Sequence, residues 1–267
     1  MDTTPVTFNR NTNTATDVRD VLIALALGIV AAAYAAVGQA GGTGYVAVLS
    51  LASFSPEAIK TSGLAMNVMV SAIGCFYAYR ARLLSSRSCY PFAILGAPFS
   101  VAGGAITLPL QFYSPVLGGL LLIAALLMFK SARGAALMDA TAPANAPFAS
   151  ALVVGGAIGL LSGITGVGGG IYLAPLLILF HWAATKQAAA VTTVFNLMNS
   201  VAALAGVALV NPVFPAALPV WLAVVAVGAV TGASFGLQIA SPRLLRLLLG
   251  ALLLAASTRM IYVAVTI

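Results

Sequence analysis

Two glycine-rich stretches interrupt an otherwise apolar chain: "GQAGGTGY" at 38–45 and "SGITGVGGGIYLAP" at 162–175. Each glycine costs about 1 kcal/mol relative to alanine in a helix interior. Runs this dense therefore mark places where a helix breaks. A helix that restarts after a break exposes free N–H groups at its new N-terminus, and its dipole adds positive potential there. Such amides hold an anion without a basic side chain, and glycine lets an oxyanion come close. Gly41, Gly42, Thr43 and Gly44 in the first run are candidate binding positions, with Gly166, Gly168, Gly169 and Gly170 in the second. The competing reading is close helix packing with no ligand.

Polar side chains follow each run. Asn67 and Ser71 share one helix face, and Asn196, Asn199 and Ser200 share another; Thr192 and Thr193 fall one turn before Asn196. Asparagine in a bilayer is costly unless it has a partner. These residues either glue helices together or donate to a ligand. Asn67, Thr192, Thr193, Asn196 and Asn199 therefore join the candidates. Lys60 and Lys186 come after the two glycine runs and could draw anions in, although such lysines commonly mark a membrane interface. Glu57 and His181 are the remaining candidates for coupling, and both lie at segment ends.

Absent chemistry narrows the function. The two cysteines, Cys75 and Cys89, and the single histidine form no metal-ligand spacing. No nucleophile–base pair or ATP-binding loop is visible. The glycine runs lack the β-α-β context and downstream acid of a nucleotide site. No carboxylate sits in the middle of an apolar segment, so a carboxylate proton relay has nowhere to reside. Neither an enzyme nor a bound cofactor or metal is expected.

The elements that position these residues follow from composition. Of 267 residues, 61% are hydrophobic and 6% charged, against roughly 25% charged in a soluble domain. Mean hydropathy is +1.08. The chain is expected to be an all-α, polytopic membrane protein: its apolar runs are long and do not alternate with period two. The net charge of +7 comes from basic residues at segment edges, which orient a membrane protein and imply no nucleic acid. The expected partners are a small anion and the bilayer, with a homo-oligomer left open.

Ten apolar segments are legible: roughly 20–38, 45–54, 57–79, 91–110, 115–132, 149–163, 170–182, 187–210, 216–239 and 243–266. Ser55-Pro56-Glu57, Ser114-Pro115 and Ser241-Pro242 each place a serine cap before a proline at a helix start. Residues 1–18 read as a disordered polar tail. Residues 133–148, rich in proline and small residues, read as a linker between membrane repeats 19–132 and 149–267. The halves echo each other. Gly38 and Gly41 match Gly163 and Gly166 by letter, "NVMVS" matches "NLMNS", and Ser114-Pro115 matches Ser241-Pro242. Gly96, Ser100 and Gly104 match Gly228, Gly232 and Gly236, small residues at the spacing that lets helices approach. An internal duplication follows.

Its topology turns on the glycine segments. If each crosses the membrane, the halves are parallel, with four spans apiece. If each dips in and returns, the halves are inverted. Inversion collects Lys186, Arg243 and Arg246 with Arg80, Arg82, Arg87, Lys130 and Arg133 on one side, and this sharper asymmetry favours it slightly.

The second-half "GLLSGITGVGGGIYLAPLLIL" and the downstream "AVTTVFNLMNSVAALAG" resemble the sulfite exporter TauE/SafE family of membrane transporters. The first half departs from that signature at Thr43 and Ser50. The resemblance implies a secondary transporter of a plasma membrane, typically bacterial, that carries sulfite, sulfonates or other small sulfur or organic anions. An anion channel of the same architecture is the alternative; a membrane enzyme or assembly factor fits less well.

Overall fold

The computed structural model describes residues 11–36, 38–84, 86–133, 146–210, 212–239 and 242–266. Ten helices run through them: α1 (Asn11–Ala36), α2 (Gly42–Leu51), α3 (Pro56–Arg80), α4 (Ser86–Ala105), α5 (Leu110–Arg133), α6 (Phe148–Thr165), α7 (Gly170–Leu179), α8 (Thr185–Ala208), α9 (Leu218–Ile239) and α10 (Pro242–Thr266). No strand occurs among the described residues. Seven helices (α1, α3, α5, α6, α8, α9 and α10) are long and apolar enough to cross a membrane. Exposed Leu, Ile, Val and Phe side chains cover the outside of the bundle, as lipid contact requires. The protein is a multi-pass α-helical membrane protein.

Residues 1–10 and 134–145 lie outside the described residues, and with them much of the expected tail and linker. α1 starts at Asn11, within the expected tail, and runs on into the span from Val18. Ser55 caps α3 as its sequence implies, its hydroxyl accepting from Ala58 N at 3.3 Å. Ser114-Pro115 does not start a helix. α5 begins at Leu110 because the Pro109 carbonyl accepts from Phe112 and Tyr113, both at 2.9 Å, and Pro115 is carried inside. Ser241 lies outside the described residues.

The two short helices turn back. At the start of the apolar span of α1, Arg19 donates to the Ala52 carbonyl just past α2, and its guanidinium sits 5.8 Å over the Phe54 ring. At the other end of α1, Tyr34 bonds Thr43 in the first turn of α2. α1 and α2 are therefore an antiparallel hairpin with the glycine break at its tip. α6 and α7 do the same. The Tyr90 ring near the start of α4 lies 6.3 Å from Phe148 at the start of α6, and Phe92 lies 6.3 Å from Trp182 beyond α7. The beginning of α6 and the end of α7 thus share one end of the bundle.

Both returning helices close alike. Phe54 N donates to Leu49 O at 3.2 Å and Trp182 N to Leu177 O at 2.8 Å, the six-to-one bond of a Schellman turn. The left-handed residue is Ser53 (φ 63) in one and His181 (φ 56) in the other. The helices therefore match Gly41 with Gly169, not with Gly166 as the letters suggest. That register differs by one residue from Asn67 against Asn196. Letter matching fails here because the helix restarts after the last left-handed glycine of each run, wherever the others fall.

Two pairs of long helices cross the centre in opposite directions. In α3 and α8, Gly74 meets Thr193 and Asn67 meets Asn196, while Leu64 packs with Ala203 and Val207. In α5 and α10, Ser257 Oγ donates to Gly118 O at 2.9 Å and Arg246 to Ser131 O at 3.1 Å. The small-residue stripes pair α4 with α6 and α1 with α9 in parallel. Methyl groups on Gly155, Gly159 and Gly163 would overlap the carbonyls of Phe92, Gly96 and Ser100, and methyls on Gly228 and Gly232 those of Gly28 and Ala32. These glycines set backbone-to-backbone distance, the packing role their spacing implies.

In a chain whose native cysteines are replaced by alanine, Asp20→Cys and Phe54→Cys should label from one face of the membrane, and Arg82→Cys and Lys186→Cys from the other. Labelling of positions 20 and 54 from opposite faces would contradict the hairpin.

Candidate functional site

The hairpin tips meet α3 and α8 in the middle of the bundle. Gly41 (φ 86) caps α2 and Gly169 (φ 78) caps α7, both in the left-handed region that side-chain-bearing residues enter only with strain. Gly44 and Tyr45 donate to Gly41 O at 2.9 and 3.1 Å; Tyr172 and Leu173 donate to Gly169 O at 3.1 and 3.3 Å. The amides ahead of them, of Gly42 and Thr43 and of Gly170 and Ile171, have no acceptor within their own helices.

The asparagines join the two halves. Asn196 Nδ2 donates to Asn67 Oδ1 at 3.1 Å and to Ser71 Oγ at 3.0 Å. Asn67 Nδ2 donates to the Val167 carbonyl in the second break at 3.1 Å, with Asn196 Oδ1 at 3.4 Å. Both side chains are buried. A methyl on Gly42 would overlap the Val167 carbonyl, and one on Gly168 the Asn67 amide. The glycines thus serve close packing here, and the amide pair is the seam along which the halves touch.

The two breaks are not equivalent. In the first, Tyr34 Oη and Thr43 Oγ1 share a hydrogen bond of 2.7 Å, and Tyr45 Oη donates to Ala40 O at 3.1 Å. Phenolic groups fill that break. In the register set by the helix starts, Ile171 and Leu173 replace Thr43 and Tyr45 in the second. There Ser162 Oγ is buried without a hydrogen-bond partner, as are both polar atoms of the Asn199 side chain.

Gly41 to Gly44, Asn67, Gly166, Gly168 to Gly170, Asn196 and Asn199 are thus gathered on two hairpin tips and two crossing helices. Thr192 and Thr193 are on the same helix, but both hydroxyls donate back to Ala189 O, at 2.9 and 2.8 Å. Lys60 adjoins the second break through its backbone: a methyl on Gly166 would lie 2.7 Å from Lys60 Cα. Its ammonium points elsewhere, donating to the carbonyls of Gly103, Gly104 and Ile106 at 3.0, 2.6 and 2.7 Å. It satisfies the end of α4, where the helix dipole favours a cation. Glu57 occupies the first turn of α3. Lys186 and His181 are exposed. Sequence reasoning does not single out Ser162 or Tyr34. The signal for Ser162 is a lone serine one turn before a break in an apolar helix. Tyr34 has none, since a tyrosine among alanines reads as core.

A family model described as "Sulfite exporter TauE/SafE" matches residues 22–260. The chain is 44% identical over 246 residues to a protein of Sinorhizobium fredii (strain NBRC 101917 / NGR234) described as "Probable membrane transporter protein y4hK". The match covers 92% of this chain and all of that protein. No solved structure matches.

Gly42→Ala should lower stability by about 1–3 kcal/mol through overpacking against the Val167 carbonyl. Gly119→Ala, in a helix with nothing within 4 Å of the added methyl, should be neutral or stabilising by up to about 1 kcal/mol. Thermal midpoints in detergent would check both.

Proposed function

Because the chain belongs to the sulfite exporter TauE/SafE family and is a membrane transporter, we propose that it carries small anions by alternating access, with sulfite, sulfonates or related sulfur or organic anions as cargo. The observation that carries this reading is the meeting of two helix N-termini with buried amides at mid-bundle, between hairpins packed on α3 and α8. Two sets of first-turn amides supply positive potential where a charged side chain would be expensive. The ligand binds when the Asn67–Asn196 seam parts, so that the side chains now satisfying each other turn to the anion. None of the five acids of the chain falls within the glycine runs; Glu57 lies one turn before Lys60, whose backbone adjoins the second break.

The halves act as inverted repeats. Supporting this, corresponding helices α3 and α8 cross antiparallel, as do α5 and α10, and both hairpins end in the same Schellman turn. An inverted pair gives two exchangeable conformations about a fixed site, the geometry that alternating access needs. The end of the bundle bearing Arg80, Arg82, Lys130, Arg133, Lys186, Arg243 and Arg246 faces the cytoplasm by the positive-inside rule, in a plasma membrane. Tight packing at the seam supports a carrier over an open channel: the Val167 carbonyl leaves no room for a methyl on Gly42. Flux is driven by the anion gradient and membrane potential, or coupled to protons carried on the anion itself.

Purified protein in liposomes should take up sulfite in a saturable manner. Asn196→Asp keeps the shape of the seam and places a negative charge at it; uptake should fall at least about tenfold, equivalent to about 1.4 kcal/mol. Gly169→Leu should insert into the membrane but abolish uptake. Full activity in both variants would remove the site from this centre, and no flux of any sulfur oxyanion or sulfonate would remove the substrate class.

A further inference from the structure

The anion site just described has an asymmetry that bears on which anions it takes. Asn199 is wholly buried, yet neither Oδ1 nor Nδ2 has a partner. Leaving a buried polar group unsatisfied costs about 1–3 kcal/mol, and here an acceptor and a donor are both idle. The register pairing Asn67 with Asn196 and Ser71 with Ser200 pairs Asn199 with Val70. Val70 is also buried, so an apolar side chain serves packing at the matching place. Packing alone gives no reason for an amide at 199.

Its surroundings point to the second hairpin. Asn199 lies on α8 one turn beyond Asn196. A methyl on Gly96 would lie 3.1 Å from Asn199 Oδ1 and 2.8 Å from the Phe195 ring, and that same ring is 3.4 Å from a methyl on Gly169, the cap of α7. Ser162 Cβ is 3.5 Å from the same Gly169 position, and its buried hydroxyl is also unpartnered. The idle Ser162 hydroxyl thus belongs to a residue beside the α7 cap, and the idle Asn199 amide lies behind the same Phe195 ring, its Oδ1 toward Gly96 of α4. The tip of α2 is filled by the Tyr34–Thr43 pair and Tyr45, with one idle atom, Gln39 Oε1, in its glycine run.

Resting on the proposed anion site, we infer that the second hairpin holds the ligand, and that Asn199 selects anions carrying a hydrogen-bond donor beside the oxyanion group. The α7 amides, Ser162 Oγ and Asn199 Nδ2 donate to the ligand's oxygens. Asn199 Oδ1 is an acceptor and repels a bare oxyanion, so it demands an O–H or N–H from the ligand. Singly protonated oxyanions and small hydroxy- or amino-acids of sulfur or carbon meet that demand; alkyl sulfonates and simple carboxylates do not.

Two pairs of anions, matched in charge and nearly in size, isolate the donor: isethionate against ethanesulfonate, and glycolate against acetate. The readout is the ligand-dependent thermal midpoint of the purified full chain, which needs no transport. In each pair the hydroxylated member should bind at least about tenfold more tightly. Asn199→Val, the residue of the matching position, should raise the ligand-free midpoint by removing an orphan amide and should erase the preference. Ser162→Ala should weaken both members of each pair and keep their ratio. Equal binding within both pairs, binding by neither, or a preference that survives Asn199→Val would each overturn the inference; the last outcome would leave Asn199 solvated by a resident water. Sulfite flux in liposomes tells this failure from failure of the anion site itself: flux that persists without donor selectivity sinks only the role of Asn199.

Discussion

A lipid interior offers no partner to a backbone amide, and the rest of this structure answers to that constraint. Breaking a helix at mid-bundle creates first-turn N–H groups with no acceptor in their own helix. The chain buries both breaks against α3 and α8 and keeps side chains off the positions where backbone meets backbone. Gly42 is bare because the Val167 carbonyl occupies the space a methyl would need. The asparagines then complete one another across the seam, Asn196 to Asn67 and Asn67 to Val167. The first half thus supplies a donor to the second break through Asn67.

Charge is spent on the same problem at the edges. Arg19 and Arg259 both donate to carbonyl groups around the end of α2, Ala52 and Ser50 respectively. Lys60 donates to three carbonyls at the end of α4. Cations placed at helix C-termini oppose the dipole's negative end. The ends of the short elements are thus pinned by cations, and the positive potential at the centre is left to the N-termini. The second hairpin is held differently: the loop after α7 packs Trp182 on Phe180 at 5.1 Å and against Phe92.

Much of this was legible in the letters. Composition fixes the membrane class, because so few charges cannot cover a water-facing surface. The ten apolar segments correspond to the ten helices, and the glycine density marks both breaks. Asn67 and Asn196 stand out because an amide in a bilayer must have a partner, although the letters cannot say that they partner each other. What could not be read is what depends on three dimensions. The register of the breaks is set by where the backbone leaves the left-handed region. Ser114-Pro115 misleads because a carbonyl six residues upstream of the proline starts the helix first. Lys60 follows a glycine run as an anion-attracting lysine would, but its ammonium is closer to the end of α4 than to either tip, and only the fold brings them together.

The same comparison separates the two breaks. The first half has Tyr34, Thr43 and Tyr45 around its break, and their hydroxyls bond one another and the local backbone. An anion at the first break must displace those bonds, and the idle atom there, Gln39 Oε1, is an acceptor that repels it. The second half has Ile171 and Leu173 at the matching positions, with Tyr113 Oη donating to Thr165 O at 3.2 Å and Ser162, its hydroxyl idle, beside the α7 cap. Unmet hydrogen bonding weakens the resting structure but is recovered when a ligand arrives, which turns a stability cost into binding selectivity. Under the proposed anion site, the first tip is then the more fully bonded wall and the second is the face that meets cargo.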